Sequence, residues 1–155
     1  MLVNRAELLQ KLETVAPALA QRETVEQSSC FVFRDGLVTA YNGDLAAWMR
    51  CPMEGLVAAV DAEKLMAVLQ KMNEEEVDIR TTTAQLVIES PAKDKRAGVR
   101  MEANITLPVE AVDRPAEWWA LDENFAEAID ICVQCTVKDD TQGFYRACVR
   151  INPAF

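Results

Sequence analysis

A pattern that occurs twice constrains this chain more than any other feature of its sequence. The first copy runs from Leu2 to Met49 and the second from Leu56 to Met101. Each copy opens with a few apolar residues, continues with an amphipathic helical pattern and ends in segments rich in β-branched and aromatic residues. A period of roughly 50 residues indicates that one supersecondary unit is used again, so the two copies should build one domain together.

Each copy contains a helix whose apolar residues recur with the helical period. In the first copy the helix is expected from Arg5 to about Leu19, where Pro17 ends or kinks it because proline lacks a backbone N–H. In the second copy Asp61 is a plausible N-cap for a helix that reaches about Met72. Apolar residues fall on one side of each helix, so both helices should bury one face and leave the other in water.

After each helix the pattern changes to short strands joined by tight turns. Asp35-Gly36 lies between Phe31–Arg34 and Leu37–Tyr41 and predicts a type I′ hairpin, which needs positive φ at both central residues. Asn42-Gly43 predicts a second turn, and the strand after it carries Trp48 as a large apolar anchor. The fold class is therefore α+β, a duplicated strand–helix–meander with two helices packed on antiparallel sheets. In the second copy the strands are expected at Val77–Thr81, Gln85–Glu89 and Gly98–Ala103.

The rest of the chain divides into a linker and the beginning of a further unit. Residues 1–103 form the first domain, with repeats at 1–51 and 56–103, and residues 104–120 read as a linker anchored by Trp118 and Trp119. Residues 121–155 start the pattern a third time, with Asp122 as the expected N-cap and a strand expected at Phe144–Ile151. One helix and one strand cannot cover their own apolar face, so we expect a fragment or a chain that a partner completes.

Composition narrows the function classes. The chain has 16 basic and 25 acidic residues and a net charge of −9, which argues against a tight nucleic-acid binder but not against a basic lining on one face. Histidine is absent from the sequence, so a Ser-His-Asp or Cys-His catalyst cannot form within it. We find no phosphate-cradling glycine loop and no carboxylate pair, and we expect no enzyme activity and no cofactor. The absence of a long apolar run and of a secretory signal predicts the cytoplasm.

Two motifs could suggest chemistry but have a simpler structural explanation. Cys132-Val-Gln-Cys135 is a CxxC, yet a zinc site would need two more ligands and Cys132 falls on an apolar helical stripe. We therefore expect buried thiols, with no metal site. Glu74-Glu-Glu could suggest a cation site, but adjacent carboxylates in a loop are usually solvated.

The order and spacing of these segments resemble a known family. The helix Ala6–Leu19, the loop with Arg22, the Phe31–Tyr41 hairpin and Asn42-Gly-Asp-Leu-Ala-Ala-Trp-Met-Arg resemble the first domain of a bacterial sliding clamp, the β subunit of the replicative DNA polymerase III. Leu56-Val-Ala-Ala-Val-Asp-Ala-Glu-Lys-Leu is similar to that domain's second strand and helix, and Phe125 to Ile151 resembles the start of the second domain. The clamp subunit has three such domains, and this chain holds about one and a third.

The resemblance implies a processivity factor. Such a protein encircles duplex DNA without reading its sequence, tethers the replicative polymerase, needs a clamp loader, and self-associates into a ring when full length. The family places an arginine near DNA in the loop after the first helix, and Arg22 matches that position. The other residues expected to face DNA are Arg5, Lys11, Lys64 and Lys71. The alternative is that these are solvated surface charges interspersed with Glu7, Glu13 and Glu63.

Two rival functions remain open on the sequence alone. One is a non-catalytic α+β interaction module that dimerises through its edge strands. The other is a thiol-dependent enzyme that uses Cys132 and Cys135. Retention on circular DNA distinguishes the clamp from the module, and thiol reactivity tests the enzyme.

Overall fold

A computed structural model describes residues 1–23, 25–108, 116–117, 120–137 and 148–151 of the chain. The chain divides into two compact units, Met1–Asp113 and Arg114–Phe155. This division falls inside the segment 104–120 that the sequence assigns to a linker, and the finer domain boundaries remain a prediction.

Both copies of the repeat fold with the same order of elements. The first copy consists of β1 (Leu2–Asn4), α1 (Arg5–Val15), a 3₁₀ turn (Ala16–Ala18), β2 (Cys30–Arg34), β3 (Leu37–Tyr41) and β4 (Ala46–Arg50). The second consists of β5 (Ala58–Asp61), α2 (Ala62–Lys71), β6 (Glu76–Thr81), β7 (Gln85–Glu89) and β8 (Arg96–Glu102). The described part of the second unit contains α3 (Phe125–Gln134).

The eight strands of the first unit form one antiparallel sheet in which the copies exchange strands. The order across the sheet is β1-β6-β7-β8-β5-β2-β3-β4. The first strand of each copy pairs with the meander of the other: Val3 on β1 lies opposite Val77 on β6, and Val60 on β5 lies opposite Phe31 on β2. In the first copy β1 is separated from the other three strands, whereas the four strands of the second copy are contiguous because β5 also pairs with β8. Since the two copies share one sheet, we expect them to fold as one unit.

The two helices lie beside each other on one face of this sheet. Helix α1 contacts α2 as well as β3 and β4, while α2 contacts β2, β5 and β8. Leu8 and Leu12 of α1 and Leu65 and Leu69 of α2 are fully buried, together with inward-facing aromatic and aliphatic residues of the strands. Burying side chains of this size contributes roughly 1.5–3 kcal/mol each, so this shared core is the main source of stability. The predicted arrangement of two helices on antiparallel sheets is confirmed.

The chain segment after β8 packs on the opposite face of the sheet. Leu107 lies buried against Val32 of β2 and Ala59 of β5. The buried amide of Gln27 holds the segment in place: its Nε2 donates to the carbonyl oxygen of Asn104 at 2.8 Å, and its Oε1 accepts from the N–H of Thr106 at 2.9 Å. The buried side-chain amide thus satisfies backbone groups of a segment that pairs with no strand in the described part of the chain.

Local signals in the sequence explain several of these boundaries. The side chain of Asn4 accepts from the N–H of Glu7, and that of Asp61 accepts from the N–H of Lys64, so both helices begin at an N-cap. Asp35 and Gly36 have φ values of 52° and 70°, as the predicted type I′ hairpin requires.

Other predictions are corrected by the structure. Helix α1 ends at Val15 and gives way to the 3₁₀ turn, because Pro17 cannot continue the helical hydrogen bonds. Trp48 is only half-buried; it lies opposite Thr39, on the sheet face away from the helices. The N-cap of α3 is Asn124 rather than Asp122, whose carboxylate and carbonyl instead accept from the N–H groups of Asn124 and Phe125.

In the second unit, the predicted strand has its residues 144–147 outside the described part, and residues 148–151 form no strand. Trp118 and Trp119 also lie outside the described residues. Helix α3 has no buried residues, and both Cys132 and Cys135 are exposed. The expectation of buried thiols is therefore wrong for this pair.

Candidate nucleic-acid interface

The solvent-facing sides of α1 and α2 form one polar surface, which we call the helix surface. Both helices bury an apolar face in the same core, so their other sides point away from the sheet together. Its exposed members are Ala6, Glu7, Gln10, Glu13 and Thr14 on α1 and Glu63, Lys64, Gln70 and Lys71 on α2.

The charges of the two helices nearly balance, although the exposed members of the helix surface include more acidic residues than basic ones. The two helices contain four basic residues and three acidic ones, whereas the whole chain carries a net charge of −9. The two helices together provide only weak attraction for a polyanion, and the mildly basic lining stays a prediction.

Arg22 lies in the loop that follows the 3₁₀ turn. The loop is closed at its base, where the N–H of Ala20 donates to the carbonyl of Ser28 at 2.9 Å. Arg22 is exposed and makes neither an ion pair nor a side-chain hydrogen bond within the described part of the chain. Its guanidinium is therefore available to a ligand, with a loop of defined closure behind it.

Lys71 is the last residue of α2. It is exposed, and among the described residues it has no ion-pair partner. The negative end of the helix dipole favours a cation at this position, so the lysine needs no carboxylate to be accommodated there. Of the predicted residues, Lys71 and Arg22 are the two whose charges have no ion-pair partner among the residues that the structure describes.

Lys64 is exposed but paired. Its Nζ lies 2.6 Å from Oδ2 of Asp61, the N-cap residue of α2, and this hydrogen bond raises the pKa of the lysine. Burial alone would raise the pKa of Asp61, but the hydrogen bonds from the side chain and N–H of Lys64 outweigh it and hold that pKa below its usual value. Exposed ion pairs of this kind are weak, so a phosphate could compete for the lysine.

The side chain of Lys11 is also ion-paired, and it is less exposed than that of Lys64. Its Nζ lies 3.3 Å from Oε1 of Glu7 one turn earlier, and the lysine side chain is 25% exposed. Much of its stem lies along the protein, and only the ammonium end reaches the helix surface.

Arg5 has a structural task that the sequence did not reveal. Its Nε donates to the carbonyl of Glu74 at 2.8 Å and its Nη1 donates to the carbonyl of Leu69 at 3.2 Å, while its N–H donates to Glu75. The guanidinium thus satisfies one carbonyl in the last turn of α2, which the helix itself leaves open, and one carbonyl in the connection after it. Its assignment to DNA stays a prediction, and at least two of its donors are already in use.

Sequence reasoning also missed two neutral residues of the helix surface. Gln10 and Gln70 are exposed, one on each helix, and side-chain amides can donate to phosphate oxygens as lysine and arginine do. Both lie on the polar side of the helical period, which is the signal in the sequence that indicates them. Only charged residues were predicted to face DNA.

The described residues offer no alternative centre of metal chemistry. No group of three or more His, Cys, Asp or Glu among them is arranged to hold a metal ion. No helix in this part of the chain has the length and apolar character needed to cross a membrane.

Comparisons with known proteins identify the fold. The sequence matches no protein-family model and no curated protein. The structure is similar to the DNA polymerase III beta subunit from Thermotoga maritima, with a TM-score of 0.69 and 18% identity over 91% of this chain and 40% of that one. It is also similar to a putative DNA polymerase III beta subunit from Eubacterium rectale, with a TM-score of 0.68 and 17% identity over 90% and 40% of the two chains.

A sliding clamp from Pseudomonas aeruginosa, solved bound to griselimycin, matches with a TM-score of 0.54 and 20% identity over 76% of this chain. The chain spans 32–40% of the length of these three relatives. It therefore has the fold of the sliding clamp, as the resemblance in sequence predicts.

Proposed function

We propose that this chain is part of a DNA sliding clamp, a non-catalytic processivity factor that encircles duplex DNA. The observation that carries the proposal is the clamp fold with both helices on one side of the sheet and their polar faces in water. In such a ring the sheets form the outer wall and the helix surface lines the hole.

The charges of the helix surface suit a protein that slides. Phosphate attraction through lysine and arginine is independent of sequence and weakens with salt, so it positions the duplex without fixing it. Arg22 and Lys71 offer cations that are unpaired within the described part of the chain, while Lys64 and Lys11 can exchange a neighbouring carboxylate for a phosphate. Because topology holds the DNA, each contact can stay weak.

The function of the complete subunit extends beyond what the chain itself contains. We propose that the full-length protein self-associates into a ring, is opened by a clamp loader and tethers the replicative polymerase in the cytoplasm. Tethering raises the local concentration of polymerase at the primer end, which increases processivity without new chemistry.

The encircling function is tested with the full-length subunit on circular DNA. The subunit is loaded onto a nicked circle with its loader, and the protein that co-elutes with DNA is measured before and after the circle is linearised. We expect retention on the circle and loss on the linear form. Equal retention on both forms would overturn the clamp and leave ordinary binding.

The contribution of the helix surface is tested by the salt dependence of duplex binding. The double variant Arg22→Ala/Lys71→Ala should lower the slope of log K against log salt by about 0.9 for each lost phosphate contact. The control Lys93→Ala/Arg96→Ala removes the same charge from exposed positions at the β7–β8 hairpin and should leave the slope unchanged. A similar change in both variants would mean that only net charge matters.

A second candidate is an interaction module that dimerises through edge strands. The observation in its favour is that β1 and β4 end the eight-stranded sheet, so each has one unpaired side within it. Sedimentation of the 155-residue chain distinguishes the two functions. A dimer that does not bind DNA would favour the interaction module.

A further inference from the structure

Three of the five cysteines line one cavity of the second unit. Cys132, Cys135 and Cys148 line one cavity of about 430 Å³, along with Ile131, Val149 and Arg150. All three cysteines are exposed, so a reagent in solution can reach them. Thiols that share an accessible cavity can react with one another as well as with the reagent.

The backbone brings the Cα atoms of two of these cysteines within the separation that a disulfide spans. Cys132 belongs to the last turn of α3, and Cys135 is its C-cap, with the N–H of Cys135 donating to the carbonyl of Cys132 at 3.0 Å. Residues three apart on a helix lie on the same face, with Cα atoms about 5 Å apart. This separation lies within the range that a disulfide spans.

The other two cysteines have different surroundings. Cys51 is buried in the core of the first unit, and desolvation raises the pKa of its thiol to about 11. Cys30 is half-buried, and desolvation together with nearby carboxylates raises its pKa as well. These two thiols act as internal references. Modification of Cys51 or Cys30 before the exposed cysteines would mean that exposure does not set the order of reaction.

We propose that Cys132 and Cys135 form a reversible dithiol–disulfide site. The described residues provide no cluster arranged for a metal ion, so oxidation is the chemistry that the cavity favours over metal binding. The site belongs to the second unit alone and does not depend on the function proposed for the helix surface.

The oxidant is a low-molecular-weight disulfide, such as oxidised glutathione. One cysteine attacks a sulfur of this disulfide as its thiolate, forming a mixed disulfide and releasing one molecule of the small thiol, which receives the proton. The second cysteine, as its thiolate, then attacks the cysteine sulfur of the mixed disulfide. The protein disulfide forms, and the second small thiol leaves and receives the other proton. The two protein thiols lose two electrons in total, and the small disulfide is reduced to two thiols.

The test is oxidation of the 155-residue chain by oxidised glutathione, followed by thiol counting and peptide mapping. We expect two of the five thiols to disappear under native conditions, with a bond mapped between Cys132 and Cys135 and full recovery on reduction. The variants Cys132→Ser and Cys135→Ser should stop at a stable mixed disulfide, whereas Cys30→Ser should behave as the parent.

Two results would overturn the proposal. The first is retention of all five thiols while unfolded chain under the same conditions is oxidised. The second is a mapped bond from either cysteine to Cys148 in place of the bond between Cys132 and Cys135. Circular dichroism of each variant checks that its fold is retained, and the mapping of the parent chain decides the question even if a variant misfolds.

Discussion

The two copies of the repeat have the same order of elements but differ in the connection that follows the helix. Aligned on their N-caps, Asn4 corresponds to Asp61, Leu8 to Leu65, and Val3 to Val60, an offset of 57 positions. After α2 the chain reaches β6 at Glu76 within a few residues, whereas after α1 a 3₁₀ turn and a long loop precede β2 at Cys30. The shared parts make the fold, and the unshared loop holds Arg22 and Gln27.

A second difference between the copies concerns what holds them together. Arg5 follows the N-cap of α1 and donates to one carbonyl in the last turn of α2 and to one in the connection after it, while the equivalent position after the cap of α2 is Ala62. The fastening between helices therefore comes from one copy alone. The duplicated architecture does not require duplicated contacts.

The largest expected effect tests whether the copies are equivalent in the core. Leu8→Ala and Leu65→Ala each remove a fully buried side chain at matching positions, and each should lower the free energy of unfolding by roughly 2–5 kcal/mol. Because the copies exchange strands, both variants should unfold in one transition, which urea denaturation followed by circular dichroism measures. Separate transitions in either variant would show that the copies fold independently.

A smaller effect is expected where the copies differ. Gln27→Ala removes an amide that contacts Glu102, Asn104, Thr106 and Leu107, and should cost roughly 1–3 kcal/mol because buried backbone groups lose their partners. Urea denaturation measures the loss, and hydrogen exchange at Thr106 and Leu107 should become faster than in the parent chain. As the control, Gln70→Ala changes an exposed amide and should leave both quantities unchanged.

The smallest effect separates two caps of equal geometry. Asn4→Ala and Asp61→Ala should each cost about 1 kcal/mol at neutral pH. Because the folded protein lowers the pKa of Asp61 from 3.8, the carboxylate contributes fully above that value and its contribution is lost as pH falls through the lower folded pKa. The cost of Asp61→Ala should therefore shrink in acid while that of Asn4→Ala stays constant. Denaturation at a series of pH values measures both, and parallel profiles would contradict the assignment.

The sequence could predict what neighbouring residues decide. The Asp35-Gly36 turn, the cap at Asp61 and the apolar stripes of the helices depend on residues within a few positions of one another. The repeat and the family resemblance predicted two helices on antiparallel sheets, but not the pairing of the first strand of each copy with the other copy. The hydrogen bonds of Arg5 and Gln27 could not be predicted, because their partners lie 64 to 80 positions away in the chain. Trp48 was predicted as a large apolar anchor, and the structure adds which face of the sheet it occupies.

The exchange of first strands has a consequence for any break in the chain. A single cut in the connection of residues 51–57 would leave two pieces, each contributing one strand to a ladder completed by the other. The pieces would stay interlocked through two separate sets of hydrogen bonds and one common apolar interior. Proteolysis there would nick the molecule without dismantling it, and the halves produced apart should recover their structure only when mixed.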